Sequence, residues 1–184
     1  MKKMFEFKTK TIVATAIGAA LFTLLMLYVK IPTGIPETDV QTCYGVGSFF
    51  AAMFGPIAGF LIGFIGHAIS DATYGAPWWS WVVSSAIALF ITGLSYSKLK
   101  VDEGRFNFKD CLIFNVFQIL GNVVAWVICA PVLDILIYKE PANLVFTQGA
   151  VAALWDAISM GVIGSILLFL YSKTRSGKGT LSKE

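Results

Sequence analysis

A series of long apolar runs constrains this chain more than any other feature of its sequence. A helix needs about 20 predominantly apolar residues to cross the hydrocarbon core of a bilayer. Hydrophobic residues make up 57% of the chain and charged residues 14%, which lies outside the composition of soluble globular domains. The chain is therefore predicted to be an all-α integral membrane protein, with residues 1–184 forming a single compact bundle of six transmembrane helices. The predicted helices lie at about 11–29, 43–54, 56–73, 78–97, 110–133 and 148–171.

The second predicted helix is short for a full crossing, and only Gly55-Pro56 separates it from the third. Because this pair breaks helices and supports a tight turn, two helices are predicted there. The alternative is one kinked helix, which gives five crossings and puts the two termini on opposite sides of the membrane. A tilted or partly embedded second helix is also compatible with the sequence.

The distribution of basic residues favours six crossings over five, because cytoplasmic segments carry an excess of Lys and Arg. Six crossings leave only Lys30 and Lys139 outside and place both termini in the cytoplasm. Five crossings would separate the basic segment at 98–109 from the basic C-terminus. The predicted cytoplasmic set is Lys2, Lys3, Lys8, Lys10, Lys98, Lys100, Arg105, Lys109, Lys173, Arg175, Lys178 and Lys183.

Several classes of function find no support in the sequence. The net charge of +3 gives little reason to expect a nucleic-acid partner. The three cysteines match no metal or redox spacing, and neither a cofactor nor a metal is predicted. There is no GxxxxGK[ST] or GxGxxG motif, so energy from ATP would have to come from another polypeptide.

Small residues line one face of the first predicted helix, where Ala16 and Ala20 stand four apart. Residues at this spacing stack on one face and let another backbone approach closely. The face therefore predicts either a partner helix in another protein or close packing inside the bundle, and the spacing alone does not separate the two.

Ionisable side chains lie inside two of the predicted helices. His67 and Asp71 are one turn apart on the third helix, and Asp156 lies within the sixth. Polar groups at membrane depth are costly without partners, so these side chains should face the bundle interior or a cavity. They either hydrogen-bond helices together or belong to a functional site.

Amides form a stripe on the fifth predicted helix, where Asn115, Gln118, Asn122 and Trp126 are spaced by three, four and four residues. Trp78 and Trp79 begin the fourth helix, close to Tyr74, at the predicted outer face. Tryptophans at a membrane interface need no special function. Together with the amides they also describe a pocket, with aromatic faces to stack on a flat ring and amides to match its donors and acceptors. The predicted substrate site comprises Asn115, Gln118, Asn122, Trp126, Trp78, Trp79, Tyr74, His67, Asp71 and Asp156.

Two segments carry a family resemblance: PTGIPET at 32–38 and FGPIAGFLIGFIGHAISDATYGAPWWSWVVSS at 54–85. With the alanine face of the first helix, they resemble the substrate-binding S components of energy-coupling factor (ECF) vitamin transporters. Within that class the chain is similar to a family that is labelled either as riboflavin-related or as transporting hydroxymethylpyrimidine or pyridoxine. The resemblance implies a non-enzymatic, prokaryotic cell-membrane protein that captures a small aromatic vitamin outside the cell. Hydroxymethylpyrimidine or pyridoxine is favoured, and riboflavin and thiamin are further candidates.

The resemblance also implies partners, namely a membrane T component and two ATPase subunits. Ala16 and Ala20 would contact the T component, and the loop at 30–42 would cover the site. Two other classes of function stay open on the residues alone. One is a stand-alone membrane facilitator, and the other is a small intramembrane enzyme that uses His67 with Asp71 or Asp156 as an acid and base.

Overall fold

Six helices and one β-hairpin account for the regular structure of residues 8–175, the part of the chain that this computed structural model describes. The strands pair antiparallel, and a 3₁₀ turn at Val101–Glu103 joins the fourth helix to the fifth. The predicted all-α class with six helices is confirmed, and the hairpin is an addition within one predicted loop. The elements are α1 (Thr9–Tyr28), β1 (Lys30–Ile35), β2 (Thr38–Gln41), α2 (Cys43–Phe54), α3 (Pro56–Ala72), α4 (Trp79–Ser97), α5 (Phe108–Tyr138) and α6 (Ala142–Lys173).

The break between α2 and α3 is built from Gly55 and Pro56. Gly55 has a φ of +96°, which L side chains rarely adopt, and Pro56 takes the first position of α3, where its missing N–H does not matter. Tyr44, at the start of α2, and His67, near the end of α3, both hydrogen-bond to Ser85. The two helices therefore fold back on each other instead of forming one kinked helix.

The six helices differ in length, and their lengths support membrane crossing for four of the six predicted spans. Four of the helices in the described residues, α1, α4, α5 and α6, are long and apolar enough to cross. The 12 residues of α2 and the 17 of α3 extend only about 18 Å and 26 Å, against a hydrocarbon core of about 30 Å. The predicted bounds of the second helix, 43–54, agree with those of α2.

Close backbone contact joins α3 to α4. A Cβ atom added at Gly59 would lie 2.4 Å from the carbonyl oxygen of Leu89, and one added at Gly63 would lie 2.6 Å from that of Ser85. Both distances are too short for any side chain, so the two helices touch through their main chains. This contact fixes the start of α4, which carries the tryptophans, relative to the end of α3.

Three π-helical segments interrupt the two longest helices. They are Val123–Cys129 and Asp134–Tyr138 in α5, and Met160–Gly164 in α6. Pro131, which has no N–H to donate, lies between the first two. A π segment holds more residues per turn than an α-helix and frequently occurs at functional sites. The segments in α5 carry Trp126 and Asp134, which both face the cavity described next.

Candidate functional site

A cavity of about 650 Å³ lies beneath the β-hairpin. Its wall contains the hairpin turn, the C-terminal ends of α1 and α3, the first residues of α2 and α4, and parts of α5 and α6. All six helices thus contribute to one space. A cavity of this size is typical of sites for small molecules.

Three aromatic rings meet at the deep part of this wall. Trp126 is 1% exposed and Tyr44 2%. The Trp126 ring lies 5.7 Å from that of Tyr44, edge to face, and 5.2 Å from that of Trp81. Such pairs are stabilised by ring electrostatics in addition to area burial. The cluster is therefore a fixed aromatic surface.

A buried carboxylate, Asp134, holds the tryptophans of α4 in place. Its oxygens accept hydrogen bonds from Trp78 Nε1 at 2.7 Å and Trp81 Nε1 at 2.8 Å, and from the hydroxyl of Ser80. All three donors are uncharged, so the carboxylate is hydrogen-bonded without a basic partner. Hydrogen bonds to an ionised group are roughly twice as strong as neutral ones.

The sequence prediction missed Asp134 because the fifth helix was predicted to end at about residue 133, whereas α5 continues to Tyr138. The sequence does contain a signal for this site. Asp134 directly follows a long apolar run, and the start of α4 offers four indole or hydroxyl donors, on Trp78, Trp79, Ser80 and Trp81. The stacking of Trp78 on Tyr138, with ring centroids 4.0 Å apart, joins the same two helix ends.

His67 and Asp71 belong to a network that joins α2, α3 and α4. His67 Nδ1 lies 2.5 Å from Ser85 Oγ, and Tyr44 Oη lies 2.7 Å from the same oxygen. The other ring nitrogen of His67 lies 3.4 Å from Asp71 Oδ1. Asp71 also accepts a hydrogen bond from the backbone N–H of Trp78, at 2.9 Å, just before α4 begins.

The serine, histidine and aspartate of this network have the residue types of a hydrolytic triad, but not its accessibility. Ser85 is fully buried and is absent from the cavity wall. Its hydroxyl is crowded by Tyr44 and His67 and lies 2.9 Å from the Trp81 carbonyl oxygen. A nucleophile must reach its substrate, so this arrangement positions helices and is not suited to acyl transfer.

Two buried polar groups in the wall have no partner within the described residues. Trp126 Nε1 is buried without a hydrogen bond. Asp156 is 2% exposed, and no hydrogen bond or ion pair reaches its carboxylate from residues 8–175. Asp156 stands on the same α6 face as Gln148 and Ala152, which precede it by two turns and one turn. Buried polar groups are nearly always satisfied, so Asp156, which lines the cavity, is the wall's strongest indication of a ligand, whereas Trp126 Nε1 is buried away from the open space.

The β-hairpin covers one side of the cavity. Gln148 on α6 donates a hydrogen bond from Nε2 to the carbonyl oxygen of Pro36 at 2.9 Å. Within the hairpin, Lys30 Nζ lies 2.8 Å from Asp39 Oδ2. This hydrogen bond with Asp39 raises the pKa of Lys30, with partial burial acting in the opposite direction. The hairpin is therefore held internally and is also tied to α6.

The amides of the predicted stripe lie outside the cavity wall and join α5 to α6. Asn115 Nδ2 donates to Ser165 Oγ at 3.2 Å, and Gln118 Nε2 donates to the carbonyl oxygen of Ala157 at 3.2 Å. Asn122 Nδ2 lies 3.2 Å from the sulfur of Met160. The π segment that begins at Val123 separates these amides from Trp126, since the α-helical spacing that placed all four on one stripe ends there.

The other predicted residues divide between the wall and the protein surface. The wall contains His67, Asp71, Tyr74, Trp78, Trp126 and Asp156, with Tyr74 at its exposed rim. Trp79 is 47% exposed and is not part of the wall. Ala16 and Ala20 lie on the exposed side of α1, whereas the neighbouring Gly18 packs against α2 and α3. Among residues 8–175 no group of three or more His, Cys, Asp or Glu side chains is arranged to hold a metal ion.

Comparison with known proteins yields one family. The sequence model described as "ECF-type riboflavin transporter, S component" matches residues 6–173. A UPF0397 protein of Exiguobacterium sp. is 50% identical over 98% of this chain and 100% of its own length. UPF0397 proteins of Lactococcus lactis subsp. cremoris and Staphylococcus aureus are 51% and 48% identical, over 95% and 100% of this chain and 97% and 100% of their own lengths. No solved structure matches this chain.

Proposed function

This chain belongs to the family of ECF-type riboflavin transporter S components, and from that premise we propose that it captures a small aromatic vitamin or vitamin precursor outside the cell. The family is a component of transporters and not an enzyme family. In the proposed cycle the chain associates with a membrane T component and two ATPase subunits, which supply the energy for uptake. Hydroxymethylpyrimidine, pyridoxine, riboflavin and thiamin are the candidate ligands.

The observation that carries the proposal is the cavity of about 650 Å³ with its aromatic floor and the unpartnered carboxyl group of Asp156. Tyr44, Trp81 and Trp126 offer faces and edges to a flat ring. Asp156 offers its carboxyl group to a polar atom on that ring. A mostly apolar space with a few directed polar groups is the usual design of a small-molecule site.

The distribution of charge supports an orientation in which the hairpin faces outward and both termini face the cytoplasm. Near the hairpin end the basic residues are Lys30 and Lys139, whereas the other basic residues of the described chain lie toward the opposite end. A Cβ at Gly104 would lie 2.9 Å from the carbonyl oxygen of Arg175, so the α4–α5 connection and the end of α6 are adjacent. Lys2, Lys3, Lys178 and Lys183 belong to the predicted cytoplasmic set but lie outside the described residues.

The exposed face of α1 is the proposed contact with the T component. Ala16 and Ala20 are exposed, and larger exposed apolar side chains such as Val13 and Ile17 lie in the neighbouring row of the helix. Small side chains let helices approach closely inside a membrane, where burial of apolar surface gives no advantage over lipid. The buried side of α1 already packs within the chain, which leaves this side for a partner.

Reconstitution in liposomes tests the proposal. The purified chain alone should bind vitamin but accumulate none, and uptake should require the T component, both ATPases and ATP. Radiolabelled vitamin inside the vesicles is the readout. Sustained flux through the chain alone would instead support a stand-alone facilitator.

A further inference from the structure

We propose that the ligand of this cavity is a small aromatic cation whose positive charge is matched by the carboxylate of Asp156. This inference rests on the proposed function of the cavity and narrows the class of vitamin that it binds. It separates ligands with a charged ring nitrogen, such as a thiazolium or a protonated pyrimidine or pyridine, from uncharged rings such as isoalloxazine.

The titratable side chains of the wall are predominantly acidic. The acidic residues are Glu37, Asp39, Asp71, Asp134, Glu140 and Asp156, and within residues 8–175 the other titratable groups of the wall, besides tyrosines, are Lys30 and His67. Lys30 is already bound to Asp39 at 2.8 Å. A cleft lined by one sign of charge concentrates ligands of the opposite sign and repels those of the same sign. The wall therefore disfavours anionic ligands.

Most of these carboxylates have identifiable partners or solvent. Asp71 is paired with His67 and with a backbone N–H, and Asp134 accepts hydrogen bonds from two indoles and a hydroxyl. Glu37 is exposed and Glu140 is half-buried at the rim. Asp156 is the exception, because it is 2% exposed and has no partner among residues 8–175.

An unpaired carboxylate at this depth requires compensation. Burying an ionised group away from water is strongly unfavourable unless an opposite charge or several donors approach it, and without them a proton neutralises the group. Binding of a cation would therefore release that proton and leave the carboxylate as its counter-ion. The cavity is the open side of Asp156, so a ligand is in position to provide that charge. An uncharged ring without donors would displace water from the carboxylate and leave it unpaired.

The aromatic residues of the wall point independently to a cation. Tyr44, Trp81 and Trp126 surround the deep part of the cavity, and Trp78 and Tyr74 lie nearer its mouth. Tryptophan faces attract organic cations, an interaction that strengthens when the pair is removed from water. The preferred ligand thus carries its positive charge on or beside an aromatic ring.

A matched pair of probes tests the charge directly. Thiamin has a thiazolium ring, and its uncharged analogue has carbon in place of the thiazolium nitrogen with nearly the same shape. Quenching of tryptophan fluorescence in the purified full-length protein gives the affinities, with riboflavin as an uncharged vitamin of different shape. Thiamin should bind at least about 30-fold more tightly than its analogue, since loss of one partner of a buried charge pair has effects of this size or larger.

Two variants test whether the carboxylate of Asp156 recognises the positive charge of the ligand. Asp156→Asn keeps the shape of the side chain and should bring the two affinities together, whereas Glu103→Gln, at an exposed pair with Lys100 outside the cavity, should preserve the difference. Equal binding of both probes by the native protein would overturn the inference. An equal loss for both probes in Asp156→Asn would also overturn it, because the carboxylate would then be a hydrogen-bond acceptor and not a counter-ion.

Mass spectrometry of molecules that co-purify with the native protein covers ligands outside the probe set. A tightly bound ligand that is uncharged or anionic would overturn the cation inference and leave the proposed vitamin capture standing. A protein that binds none of the probes and retains no small molecule would overturn the proposed function together with this inference.

Discussion

Replacing Asp134 by Asn should destabilise the protein by a predictable amount, because the geometry at this residue is asymmetric. Trp78 Nε1 and Ser80 Oγ both donate to Oδ1, whereas Trp81 Nε1 donates to Oδ2. The amide oxygen of the new side chain can keep the first two bonds. Its NH₂ group would then face the indole N–H of Trp81, donor against donor.

One partly buried donor is thus left unpaired, which costs about 1–3 kcal/mol of unfolding free energy. The opposite orientation of the substituted amide would leave two donors unpaired and is less favourable. Denaturant titration in a mild detergent, followed by tryptophan fluorescence and by circular dichroism, measures the change. Agreement between the two probes checks that unfolding is a single transition.

A double-mutant cycle assigns the loss to the proposed hydrogen bond. In a Trp81→Phe background the donor is already absent, so Asp134→Asn should cost less than in the native background by about 1 kcal/mol or more. In a Trp79→Phe background the cost should be unchanged, because the indole of Trp79 makes no hydrogen bond to Asp134. An equal cost in the native and Trp81→Phe backgrounds would refute the role assigned to Asp134.

Three further predictions concern the cavity, the exposed face of α1 and the hairpin. Trp126→Phe should weaken vitamin binding by about tenfold, since the smaller ring removes part of the aromatic surface that packs against the ligand, whereas Asn122→Ala should lower the unfolding free energy and change affinity by less than about threefold; the reverse pattern in fluorescence titrations would move the site to the amides. Ala16→Leu should leave vitamin binding intact and reduce co-purification of the T component, whereas Ala150→Leu, at an exposed position of α6, should not; a loss of binding in Ala16→Leu would show that this face supports the cavity. Asp39 raises the pKa of Lys30 above 10.5. The ion pair between them should therefore contribute fully to the stability of the hairpin at neutral and moderately alkaline pH, and this contribution should be lost only as the pH rises through the raised pKa. Amide exchange of β1 and β2, corrected for its intrinsic rate, should therefore show constant protection between about pH 6 and 9, and a decline within that range would contradict this account.

Apolar runs predicted where the helices lie because burial in lipid is a property of local composition. The Gly55-Pro56 break was equally local, since both residues restrict the backbone in ways independent of their surroundings. The β-hairpin was not predicted as such, because its strands are short and their apolar pattern is weak. Its turn is also held by a residue far along the chain, through the hydrogen bond from Gln148 to Pro36.

The arrangement of the cavity was harder to predict because α5 does not keep one helical period. A stripe from Asn115 to Trp126 assumes 3.6 residues per turn throughout. The π segment at Val123–Cys129 adds about one residue to a turn, which rotates the following side chains by about 100° relative to an α-helix. This rotation separates Trp126 from the amides. The second π segment of α5 starts at Asp134, so the helical period changes again at that residue. No residue pattern in the sequence marks these changes of period.

The short length of α2 has a consequence for the size of the ligand. Its neighbours α1, α5 and α6 run for 20 to 32 residues, whereas α2 has 12 and begins at Cys43, beside the cavity floor. The volume that one or two more turns of α2 would fill is the volume in which a ligand would sit. Each added turn ahead of Cys43 would advance the floor by about 5.4 Å. The size of the ligand that this cavity accepts is then set by the starting residue of one helix. Relatives in which that start is shifted should accept smaller or larger molecules without any change in the residues that recognise them.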